Sequence, residues 1–196
     1  MKTMIKGGFL GGIVFFVWGM VSWMVLPWHG QTLKAFQDEP AMKSVLSANA
    51  LEQGVYVLPA CVNNTNLSPD EKKSKMQAQC QQMENGPFAF LVMNPHGVGP
   101  MWRSMIKALL IQILGAMLVT ALLVRSRIPS YFGRLFFILI FAASAGVLCY
   151  LPSWNWWGFP CAYTLLEIGD LVAGCFFAGL ILAWVTAKTV ASPPAA

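Results

Sequence analysis

Residues 162–188, AYTLLEIGDLVAGCFFAGLILAWVTAK, decide how this chain is read. A helix crosses a hydrocarbon core of roughly 30 Å with about 20 apolar residues at about 1.5 Å each. This run meets that length and carries two acids near its start, Glu167 and Asp170. They lie three apart and therefore share one helix face. With the span starting near Ala162, they sit roughly 8 Å and 12 Å along the helix from its outer end. Ionisable side chains inside a span are costly and turn toward a bundle interior or a wet cavity. The remaining apolar runs are read as shelter for that face.

Three further stretches meet or approach the spanning length: residues 7–28, 108–124 and 135–151. Composition agrees. The chain is 57% hydrophobic and 11% charged, whereas a soluble domain has roughly 25% charged residues. The expected fold class is an all-α membrane protein, a bundle of four transmembrane helices with a small extracytoplasmic α+β insertion between helices 1 and 2. Residues 1–30 form the first span, 31–100 the insertion, 101–188 the other three spans and 189–196 a flexible cytoplasmic tail.

Lys2 and Lys6 precede the first apolar run. That run exceeds the roughly 7–15 residues of a signal peptide and ends without an A-x-A-like site, so it is read as a retained span. Gly7 and Gly11, like Gly8 and Gly12, have small-xxx-small spacing, which lets another helix approach closely. Pro27, Trp28 and His29 close the span, with Trp28 in the place of a membrane-belt residue.

Polar residues return in the insertion. Residues 31–50 read as one or two short helices broken near Pro40, and GVYVLP (54–59) as a strand. In SPDEKKSKMQAQCQQMENG, Ser68 is the expected N-cap, Pro69 the first helical residue and Glu71 the other half of a capping box. Gly86 is the expected stop. Met76, Cys80 and Met83 share a face that should pack inward. PFAFLVMNP (87–95) reads as a second strand, its pairing left open.

Lys2, Lys6, Arg125, Arg127, Arg134 and Lys188 fall at one end of the bundle. The opposite short loop, PSWNWWGFPC (152–161), has three tryptophans and no charge. Positive loops remain cytoplasmic, so both termini are placed inside, in an inner membrane, and the insertion outside, in a periplasm where there is one. Arg103 and Lys107, in the first turns of span two, can snorkel to headgroups or reach the acids.

An oxidising compartment favours a disulfide between Cys61 and Cys80. Cys149, Cys161 and Cys175 are read as packing residues. The histidines, His29 and His96, both lie where the insertion joins the spans, which leaves no bis-histidine haem inside the bundle. They are read as local hydrogen-bonding residues at the interface, with a metal pair as the lesser reading. No phosphate loop, dinucleotide fingerprint or zinc-protease motif is present, and no cofactor or metal is expected. The net charge of +5 is spread over small clusters, so nucleic acid is not the expected partner. The expected partners are the lipid bilayer and other integral membrane proteins or further copies of the chain.

These readings favour a non-catalytic accessory protein or subunit of a larger membrane complex. The alternative is a proton- or cation-coupled transporter using Glu167 and Asp170.

Overall fold

Four helices are long and apolar enough to cross a membrane in the computed structural model, which describes residues 1–60, 68–187 and 189. Helix α1 (Lys2–Met20) runs on into a π-helical turn (Val21–Val25). The others are α5 (Met101–Ser126), α6 (Tyr131–Trp157) and α7 (Cys161–Val185). Between α1 and α5 come α2 (Trp28–Thr32), α3 (Glu39–Asn49), β1 (Gly54–Leu58), α4 (Pro69–Asn85) and β2 (Ala89–Met93). The chain divides into two compact units, one of residues 1–34 with 100–196, the other of residues 35–99.

In the first unit α5 packs on α1, α1 on α7, and α7 on α6. Glycine sets the α1 seams, as its spacing predicts. A Cβ on Gly7 would strike the Thr120 side chain and one on Gly8 the Met117 side chain. One on Gly12 would lie 2.6 Å from Ile113 Cα, and one on Gly11 2.7 Å from Leu182 Cδ2. Backbones this close gain dispersion contacts that lipid tails cannot match. Leu123, Ile138, Ala142, Cys175 and Leu182 form the buried cluster, with Phe15 and Val119 packed against it.

The basic end of the bundle is tied by Arg134, which is buried. Its Nε donates to the Ala183 carbonyl at 2.9 Å, and one terminal nitrogen donates to Ile128 (3.0 Å) and Pro129 (2.8 Å) carbonyls. These are backbone acceptors that a helix end and a turn leave without partners. Arg134 is therefore a bundle clamp.

One boundary differs from the sequence reading. Helix α6 continues through Pro152 to Trp157 and stops at Gly158, whose φ is +66°. Neighbouring structure lets a proline persist inside an apolar helix, so the tryptophans belong to its last turn rather than to a loop.

In the second unit β1 and β2 pair antiparallel, Gly54 opposite Met93 and Leu58 opposite Ala89. Pro40 begins α3 rather than breaking it; Asp38 caps that helix by accepting from the Ala41 N–H at 2.9 Å. Helix α4 has the expected caps. Ser68 accepts from the Glu71 N–H, and the Glu71 carboxylate accepts from the Ser68 N–H at 2.9 Å and Ser68 hydroxyl at 2.7 Å. The inward face expected for α4 is absent. Met76, Cys80 and Met83 are exposed, and no residue of α4 is buried. Three apolar side chains among Lys72, Lys73, Lys75 and a run of glutamines offer too little area to anchor a helix.

The α4 cap has a testable pH signature. The Ser68 hydroxyl, then its backbone N–H, hold the Glu71 carboxyl below its ordinary value of 4.5. A lowered folded pKa gives stability that is present above the unfolded value and is lost as pH falls through the folded one. Corrected for the intrinsic exchange rate, the protection of amides in the first turn of α4 should therefore hold near neutrality and fall below pH 4.5. Ser68→Ala should bring that onset to higher pH; an unchanged onset would count against the cap.

Candidate functional site

The two acids of α7 meet His29. After Met20 the helix widens into the π turn, closed by the Leu26 N–H donating to Val21 C=O at 3.0 Å. Pro27 then starts the short α2, which turns His29 back against α7. Such π turns recur at functional sites because they re-aim side chains without ending the helix. Gly174, one turn beyond Asp170, lets α1 approach: a Cβ there would sit 2.8 Å from Phe15 Cε1 and 3.0 Å from Trp18 Cδ1.

Asp170 is held by three residues. Its Oδ1 accepts from the Trp18 indole N–H at 2.8 Å and from the Ser22 hydroxyl at 2.7 Å. Its Oδ2 lies 3.4 Å from His29 Nε2. The Trp28 indole N–H donates to Ser22 carbonyl (3.0 Å) and hydroxyl (3.1 Å) oxygens. Ser22 and His29 are buried, and the His29 ring stacks on Trp23 with centroids 3.8 Å apart.

This network assigns the imidazole hydrogen. A serine hydroxyl has one proton, and Ser22 gives it to Asp170. Ser22 Oγ must then accept from His29 Nε2, 3.0 Å away. So Nε2 carries hydrogen, and neutral His29 turns a bare Nδ1 lone pair toward Glu167 Oε1 at 3.6 Å. These two atoms are buried and have no hydrogen-bond partner. Two facing acceptors repel unless a proton lies on one of them, and a shift of a few tenths of an ångström would make the contact a hydrogen bond.

Glu167 and Asp170 also line a cavity of about 540 Å³. Phe15, Phe16 and Trp23 come from α1 and its π turn, Met101, Met105 and Gln112 from α5, and Tyr150 from α6. The site thus joins a polar centre to an apolar chamber.

Of the residues singled out in the sequence, Glu167, Asp170 and His29 are brought together. The acids lie against His29, not Arg103, whose guanidinium lies 5.3 Å from the Trp102 ring centroid. His96 belongs to the other unit, where it is exposed and its backbone N–H donates to the Asn94 side chain at 3.3 Å. Among the described residues there is no disulfide and no group of three ligands spaced for a metal. The expected Cys61–Cys80 bridge falls on Cys61, outside those residues; Cys80 is an exposed thiol. Of the other cysteines, Cys175 is buried in the core, while Cys149 and Cys161 are exposed on their helices.

Sequence reasoning missed Trp18, Ser22 and Tyr150. A signal existed for two of them. Trp18 and Ser22 are four apart, so these two hydrogen-bonding residues share a face at the end of an otherwise apolar run.

No protein-family model, curated protein or solved structure matches this chain. Its class is therefore defined by its own fold and site: four candidate membrane-spanning helices around a buried histidine–carboxylate centre beside an apolar cavity.

Proposed function

We propose that this is a proton-coupled membrane transporter, lodged in an inner membrane with both termini cytoplasmic and residues 35–99 outside. Lys2, Lys6, Arg125, Arg127 and Arg134 at one end, and an uncharged tryptophan cluster at the other, support that orientation. One observation carries the functional reading: His29 Nδ1 and Glu167 Oε1 face each other at 3.6 Å, buried and otherwise unpartnered. The contact accommodates one proton. It sits two turns inside α7, where an intramembrane ionisable group serves transport more readily than packing. Asp170, fixed by Trp18 and Ser22, holds the imidazole in place.

Packing against a larger membrane complex draws on no feature of this site. The exposed Phe132, Phe136, Ile140 and Leu148 of α6 suit lipid as well as protein.

Infrared difference spectra of the purified protein across a pH jump test the proton. A carboxylic-acid C=O band should titrate, vanish in Glu167→Gln and persist in Glu84→Gln, whose parent is exposed on α4. A spectrum unchanged by Glu167→Gln would remove the proton from this contact and the reading with it.

A further inference from the structure

We propose that the cavity beside Glu167 and Asp170 binds a lipophilic organic monocation, a substituted ammonium or phosphonium, in exchange for the proton held between His29 and Glu167. This deepens the proton-coupled reading and rests on it. The chamber's volume of about 540 Å³ falls within the roughly 300–1,000 Å³ of pockets for drug-sized ligands.

Its walls select the ligand class. Phe15, Phe16 and Trp23 line the chamber, and aromatic quadrupoles attract an organic cation. Met20, Met24, Met101 and Met105 supply flexible thioethers that reshape around irregular apolar bodies. Among the described residues, the formal charges on the lining are Glu167 and Asp170, both negative. An anion finds no partner there. A neutral molecule leaves the ionised Glu167 carboxylate without one. Among the described residues no group of three His, Cys, Asp or Glu side chains is spaced to hold a metal ion.

The exchange balances charge. The groups facing Glu167 are His29 from α2, Tyr150 from α6, and Tyr163 and Asp170 on its own helix. The α1 and α5 walls present Trp18, Ser104 and Gln112, which carry no charge. When the cation enters, the bond between that proton and Glu167 or His29 breaks. The proton leaves to solvent, and the Glu167 carboxylate pairs with the cation instead.

Full-length protein in detergent micelles is titrated calorimetrically with tetraphenylphosphonium, neutral triphenylphosphine oxide and anionic tetraphenylborate. The cation should bind at least about tenfold more tightly than the neutral oxide, because a charge contact partly shielded from water is at stake. The borate should not bind. Repeating the cation titration in buffers of different ionisation enthalpy should show one proton released per cation bound. Glu167→Gln should lose cation affinity by about tenfold or more while keeping that for the oxide, which shows the chamber intact. Gln112→Glu leaves Glu167 in place and adds a negative charge to the lining, so it should tighten cation binding.

Equal binding of cation and oxide would mean an apolar or lipid-filled chamber and overturn the proposal. Selective cation binding without proton release would overturn the exchange. Absent cation binding, alongside a Glu167-dependent infrared band, would overturn the substrate class and leave the proton reading standing.

Discussion

Gly12→Ala should destabilise the bundle by about 1–3 kcal/mol, the usual cost of forcing a methyl group into a filled contact. The expected sign is the informative part. Alanine normally favours a helix over glycine by up to about 1 kcal/mol, so a loss means that packing outweighs propensity. At Gly12 the added Cβ would lie 2.6 Å from Ile113 Cα and 2.7 Å from Ile113 N. Those are backbone atoms, and no rotamer change relieves them. The α1 and α5 backbones must separate, and the contacts at Gly8 and Gly7 on the same seam open with them. Gly115→Ala is the matched control on α5, where a Cβ would meet nothing within 4 Å; it should be neutral or slightly stabilising. Reversible unfolding in mixed micelles measures both. Equal and favourable effects at the two positions would show that α1 and α5 do not touch at Gly12.

That seam was readable before any coordinates because small-xxx-small spacing is a local pattern with a single physical use, close approach. The candidate spans were readable for a related reason: a helix long enough to cross a membrane announces itself by a sustained apolar run, and residues 162–188 carry one broken only by Glu167 and Asp170 near its start. The α4 boundaries are equally local, since Ser68, Glu71 and Gly86 satisfy the helix ends from within a few positions. What could not be read depends on parts of the chain far apart in sequence. Met76, Cys80 and Met83 make a helical stripe whether or not anything covers it, and here all three are exposed. Pro152 reads as a helix stop, yet α6 continues through it to Trp157. His29 looked like an interface residue because its approach to Glu167 and Asp170 requires the π turn, Pro27 and the gap left by Gly174 together. Each is visible in the sequence, yet their combined direction is set only by the packing of α1 on α7.

Asp170→Ala should cost more than any substitution of Glu167, about 3–5 kcal/mol, the range for removing one partner of a buried, hydrogen-bonded charge contact. Asp170 accepts from Trp18 at 2.8 Å and Ser22 at 2.7 Å and lies 3.4 Å from His29 Nε2. Alanine leaves these donors without their acceptor, and His29 and Ser22 are themselves fully buried. Asp170→Asn should lose less, because its carbonyl oxygen still accepts from Trp18 and Ser22 while only the charge is gone. The loss must also depend on His29. In His29→Phe the ring can still stack on Trp23, but no imidazole hydrogen requires an acceptor, so removing Asp170 should be cheaper there. A double-mutant cycle should therefore give a coupling of about 0.5–3 kcal/mol between positions 29 and 170. Strict additivity would mean that the histidine and the aspartate do not interact, and that His29 owes its orientation to Ser22 and Trp23 alone. Asp170 would then have no part in turning the imidazole toward Glu167. The stability of this corner of the bundle and the proposed proton site thus rest on the same carboxylate.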